Sequence, residues 1–253
     1  MSSVRTDPAS SVRRITATLL FAFVAAGCAR QPRPLAPAAP AEPDAVFAEL
    51  RAGEAAITTL RARFTAESRR GTERHSTSGV LLVKKPDRFR LRMMLPFGVT
   101  VFDYLRTRDH VHVSLPLQGR VIDDPPADDA TAFSQADLGA AFLRGADAFP
   151  GTCLAETAGP FNVAIVCRAN PDTVLRRTVV DATTAWIHDE TTYEAGAPRL
   201  VIHYDDYRPI GDSVLPFHIA MQYPGREQSV EISIQRYEVN PALSDALFEP
   251  IPQ

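Results

Sequence analysis

Residues 89–105 read FRLRMMLPFGVTVFDYL. Between Asp87 and Leu95 the residues Phe89, Leu91, Met93 and Leu95 fall on one side of an extended chain, and Arg88, Arg90 and Arg92 on the other. That period of two predicts a half-buried antiparallel strand with its arginines toward water. Leu95-Pro96-Phe97-Gly98 then forms a turn into a second apolar-faced strand, because Pro and Gly favour turns and turns face water. Two large apolar side chains, Leu95 and Phe97, would thus stand at an exposed tip. Either they meet a membrane or a partner, or Phe97 folds back onto the sheet.

Working outward, similar runs near 76–84, 99–106, 110–115, 162–168, 174–181, 198–207, 214–222 and 228–239 predict further strands separated by Gly, Pro, Asn or Asp. The fold class is mainly β with added helices. One helix is expected from Asp44, as cap after Pro43, through Val46, Phe47, Leu50, Ile57 and Leu60, with Gly53 weakening its middle by about 1 kcal/mol relative to Ala. A second is expected mid-chain, where Ser134 and Asp137 resemble a capping box before Leu138, Ala141, Phe142 and Leu143. Two amphipathic helices beside a long antiparallel meander would cover one face of a curved sheet.

Cys153 and Cys167 are equidistant from Pro160, within a segment that reads strand, turn, strand. A cross-strand disulfide is geometrically available, and two buried thiols are the alternative.

Upstream of the domain, Arg5, Arg13 and Arg14 precede an apolar stretch over 15–24 that ends at Ala25-Ala26-Gly27-Cys28. The stretch is far shorter than the ~20 residues of a membrane-spanning helix. Residues 1–27 read as a signal peptide. The four residues ending at Cys28 resemble a bacterial lipobox, which implies acylation of Cys28. Ala29 after it resembles lipoproteins sorted to the outer membrane. Residues 28–43, with Pro32, Pro34, Pro37, Pro40 and Pro43, read as a stiff tether, and 44–253 as a single folded domain. Removing residues 1–27 takes three Arg and one Asp from 27 basic and 30 acidic residues, leaving a net charge of −5. A mildly acidic body argues against nucleic acid as partner and offers no polybasic membrane patch in its composition.

Chemistry-bearing motifs are sparse. The chain has no G-x-S-x-G, Walker, H-E-x-x-H or C-x-x-C sequence, so no catalytic residue, metal or cofactor is assigned. His110 and His112 share a strand face with Ser114, which suits either a surface metal or plain solvent exposure. Asp123, Asp124, Asp128 and Asp129 around Pro125-Pro126 lack the Gly and Glu of a calcium loop. His188-Asp189-Glu190 and Asp205-Asp206 read as strand ends and turns.

The strand, the Pro96-Phe97-Gly98 tip and the Val99-Thr100 that follows resemble the LolA/LolB-like lipoprotein-localisation superfamily, and within it the LolB-type outer-membrane receptors. A lipidated N-terminus, the early and middle helices, Leu215-Pro216-Phe217 to Tyr237, and Val239-Asn240-Pro241 to Leu247-Phe248 extend the likeness over most of 44–253. The resemblance implies an incomplete antiparallel β-barrel whose concave apolar face, covered by helices, holds acyl chains. It places Phe97 at the protruding residue that engages the membrane. It also implies a monomer on the outer membrane that receives lipoproteins from a LolA-like periplasmic carrier without enzymatic chemistry. Candidate cavity residues are Phe89, Leu91, Met93, Ile202, Ile219, Met221, Ile232 and Ile234, each of which could equally be ordinary core. An envelope sensor or assembly scaffold on the same fold is the alternative.

Overall fold

Pro43 supplies a fixed φ at the first helical position, where its missing N–H is no loss, and opens α1 (Pro43–Ala56). Asp44 is therefore inside the first turn rather than the cap. The computed structural model describes residues 41–125, 137, 141–142 and 150–250. Cys28, the signal peptide, Ser134, Leu138, Leu143, Asp128 and Asp129 lie outside the described residues.

α1 stops earlier than the apolar spacing suggests. Ile57 is its C-terminal cap, and Leu60 already faces inward from β1 (Thr59–Arg70). Asn240 makes the break. It accepts from the Thr58 and Thr59 backbone N–H groups (2.8 and 3.2 Å) and donates to the Ala56 carbonyl (3.0 Å).

The strands continue as β2 (Glu73–Lys84), β3 (Arg88–Met94), β4 (Thr100–Arg106), β5 (Val111–Leu115) and β6 (Arg120–Asp123). Then come β7 (Thr152–Gly159), β8 (Asn162–Asn170), β9 (Thr173–Asp181), β10 (Ile187–Glu194), β11 (Ala197–Ile210), β12 (Ser213–Tyr223) and β13 (Gln228–Val239). They form one antiparallel sheet in the order β6-β5-β4-β3-β2-β1-β13-β12-β11-β10-β9-β8-β7. Two meanders are thus joined where the first strand pairs with the last. The sheet stays open, as an incomplete barrel with β6 and β7 at its edges.

Alternation puts the large apolar residues on the concave face. Leu60, Ala62, Phe64 and Ala66 of β1 face Val83, Leu81 and Gly79 of β2, then Phe89, Leu91 and Met93 of β3. Across the seam the rows continue through Ile232 and Ile234 of β13, then Ile219 and Met221 of β12, and Ile202 and Tyr204 of β11. Val46 and Leu50 bury α1 on this face, Phe142 packs against Phe64, and Ala141, which like Phe142 has helical backbone, joins the same core.

The opposite face is not simply wet. Leu82, Leu105, Leu243 and Phe248 form a second, smaller core there, where the C-terminal turn Asp245–Phe248 lies over β2 to β4. Arg90, expected in solvent, is consequently buried. Its guanidinium holds Asp103 by two hydrogen bonds (2.8 and 2.5 Å) and the Leu247 and Glu249 carbonyls by two more (2.8 and 2.9 Å).

Candidate functional site

Two places stand out, one at each end of the strands. The first is the β3–β4 tip. Leu95 and Val99 close it with a backbone hydrogen bond of 2.9 Å, and Gly98 N–H donates to the Leu95 carbonyl. Phe97 projects fully into solvent and has left-handed backbone, φ 75°. That conformation costs a non-glycine residue about 1–2 kcal/mol, so sequence and backbone conflict where an apolar side chain is most exposed. Exposed Leu95 and Val99 flank it. At the same sheet end Leu117 and Val121, in and after the β5–β6 turn, add two more exposed apolar side chains.

The second is a hollow of about 250 Å³ at the other end, between α1 and the concave face. Leu50, Ile57, Leu60, Phe142, Leu215 and Ile219 give it apolar walls, and Glu49, Glu54, Lys85, Asp212 and Ser213 rim it. Gly53 helps make the space: a Cβ there would meet nothing within 4 Å. Lys85 donates to the Glu54 carbonyl at 2.5 Å. Burial lowers the Lys85 pKa, with the nearby Glu54 carboxylate opposing the shift. Trp186 borders the hollow and stacks on Tyr207, 4.9 Å between centroids. Its loop is held by Asp181, which accepts from the N–H and hydroxyl groups of both Thr183 and Thr184.

Of the eight cavity candidates, Ile219 borders this hollow. Phe89, Leu91, Ile202, Met221, Ile232 and Ile234 are buried in the continuous core, and Met93 packs against it, half-buried. Sequence reasoning missed Leu50, Ile57 and Leu60 as wall residues because it placed all three on one helix face. Cys153 and Cys167 are bonded, directly opposite each other on β7 and β8.

Glu190 is not a strand end. It sits inside β10 on the concave face, buried, with Arg176 Nε 3.4 Å away and Thr178 beside it. A further buried polar contact joins Asp137 to Arg199 by two hydrogen bonds of 3.0 and 2.9 Å. Burial raises the pKa of the nearby Tyr223, and Asp137 adds to the shift. His110 and His112 pair with Asp124 and Asp123 at 3.2 and 2.6 Å. Among the described residues no three His, Cys, Asp or Glu side chains are placed to hold a metal ion.

No protein-family model and no curated protein matches the chain. Solved structures do. A DUF1329 family protein from Desulfovibrio piger superposes with a TM-score of 0.64 at 14% identity, over 83% of this chain and 98% of that one. A putative outer membrane lipoprotein-sorting protein domain from Vibrio parahaemolyticus gives 0.62 at 14% identity, over 81% and 94%. A LolA superfamily protein from Nitrosomonas europaea gives 0.61 at 11% identity, over 81% and 97%. The chain therefore has the fold seen in solved LolA-superfamily and lipoprotein-sorting-domain structures.

Proposed function

We propose that this protein is a non-enzymatic, lipid-anchored envelope protein that holds acyl chains under α1 and passes lipoproteins to the outer membrane, to which its Phe97 tip docks. The observation that carries this reading is Phe97 itself. Its left-handed backbone lowers stability and its exposed ring lowers solubility, and strain and exposed apolar surface of this kind mark functional sites. The hollow supplies the other half. An apolar void of about 150 Å³ already takes up a benzene-sized ligand, so 250 Å³ accommodates part of one acyl chain. Whole chains need more room, which displacement of Phe142 from Phe64, 5.3 Å between centroids, would open along the concave face toward the tip.

α1 suits a movable cover. It buries only Val46 and Leu50, worth about 1.5–3 kcal/mol each, and is tied at both ends, by Ala41 N–H to the Ala182 carbonyl and by Asn240 and Lys85. Its donor would be a soluble LolA-like carrier, and Cys28 would anchor it. The dense packing of most of the concave face favours a second reading, an assembly scaffold on the same fold.

The two separate at the tip. Phe97→Gly should raise folding stability by about 1 kcal/mol, while Phe97→Glu keeps the fold. Both should slow delivery of a lipidated protein from carrier to vesicles. Delivery at the parent rate by both variants would reject the transfer function.

A further inference from the structure

The convex face carries a groove of about 240 Å³ that none of this uses. Arg61 and Arg63 of β1 and Arg90 and Arg92 of β3 stand along its sides, over Val80 and Leu82 of β2. Register places Arg63, Val80 and Arg92 in one row across three neighbouring strands, about 10 Å from first to last. Beyond Arg63 the same row continues to Arg236, directly opposite on β13. Like charges facing each other across a strand pair are destabilising.

The anions among the described residues do not neutralise this row. Asp103 is taken up by Arg90, with Arg92 Nη2 only reaching it at 3.4 Å. Arg92 Nε is buried without a hydrogen-bond partner among the described residues. Glu238 is shared by Arg61 and Arg236, and Arg63 forms no ion pair among the described residues. Among the described residues five guanidinium groups thus meet two carboxylates, in a chain whose net charge is −3. Arginine's planar fork matches phosphate oxygens, and an anion between Arg63 and Arg92 offsets the opposed charges.

Position says which phosphate. Arg92 lies three residues before Leu95, about 10 Å along the strand from the tip. A side chain dipped to the headgroup–acyl boundary lies about 5–10 Å deep, which brings the groove to phosphate level. We infer that the Arg63–Arg92 groove binds the phosphate of an anionic lipid headgroup next to the docked Phe97 tip. The inference deepens the membrane-docking reading of the tip and rests on it.

The test uses the full chain carrying Cys28→Ser, so that acylation plays no part, and vesicles of phosphatidylcholine alone or mixed with phosphatidylglycerol. Arg63→Gln with Arg92→Gln should weaken binding to the mixed vesicles about thirty-fold, at roughly a factor of five per arginine, and leave binding to neutral vesicles unchanged. Arg63→Gln alone, at an exposed site, should give the five-fold loss without risk to folding. Phe97→Gly should weaken binding to both vesicle types, so failure of the tip and failure of the groove read out separately. Inorganic phosphate should compete only on the mixed vesicles. Equal binding of parent and both arginine variants to mixed vesicles would overturn the inference. So would a groove that responds to inorganic phosphate, followed at the Arg92 Nε–H resonance, without any preference for anionic vesicles.

Discussion

Gly79 of β2 lies beneath the ring of Phe64 on β1, so closely that a Cβ there would fall 2.2 Å from Cζ. Phe64 cannot retreat, since its side chain is fully buried and meets Phe142 on its other side. Gly79→Ala should therefore overpack the centre of the sheet and cost about 1–3 kcal/mol, whereas Phe64→Ala, which empties the site, should cost about 3–5 kcal/mol. Chemical denaturation of the two variants checks both figures. An alanine at 79 that leaves stability unchanged would mean that the Phe64 ring does not lie against Gly79.

The C-terminal turn depends on a charge pair buried on the convex face. Arg90 and Asp103 satisfy each other, and Arg90 spends its remaining donors on the Leu247 and Glu249 carbonyls. Asp103→Ala leaves a buried guanidinium with half its partners gone, which should destabilise the domain by about 3–5 kcal/mol. Proteolysis within 243–249 should become faster in the same variant.

Acid should loosen the loop that carries Trp186. Burial acts to raise the Asp181 pKa, but hydrogen bonds from Thr183 and Thr184 outweigh it and hold the carboxyl below its ordinary 3.8. Because the folded value is the lower one, this contribution is complete above about pH 4 and is lost as pH falls through the folded value. Asp181→Asn should melt at lower temperature than the parent at neutral pH, and the gap should narrow as the pH drops below 4. A constant gap across that range would show that the aspartate charge does not hold the loop.

How much of this the sequence discloses depends on whether local pattern or distant contact sets each residue. β3 is legible because Phe89, Leu91 and Met93 alternate with arginines, and the tip because Pro96 and Gly98 bracket Phe97. The end of α1 is not. Ile57 and Leu60 continue the helical spacing into β1, whose inward Ala62 and Ala66 give a weak alternation. β10 hides for a related reason, since its inward positions include Glu190 and Thr192 rather than apolar residues. Arg90 carries no local mark of burial, because what covers it arrives about 157 residues later in the chain. The hollow is hardest to foresee. It exists where Gly53 lacks a side chain and two segments distant in sequence dock over Leu60 and Ile219.

That same glycine offers the most direct test of acyl-chain binding. Gly53→Leu removes a poor helix former, which should stabilise α1 by up to about 1 kcal/mol, and puts a branched side chain into the open space. The measurement is titration of the full chain carrying Cys28→Ser with a fluorescent palmitoylated peptide, with melting followed in parallel. The parent should bind saturably, and Gly53→Leu should bind at least tenfold more weakly while melting no lower. Equal saturable binding by both chains, or none by the parent, would contradict a role for the hollow under α1 in holding lipid.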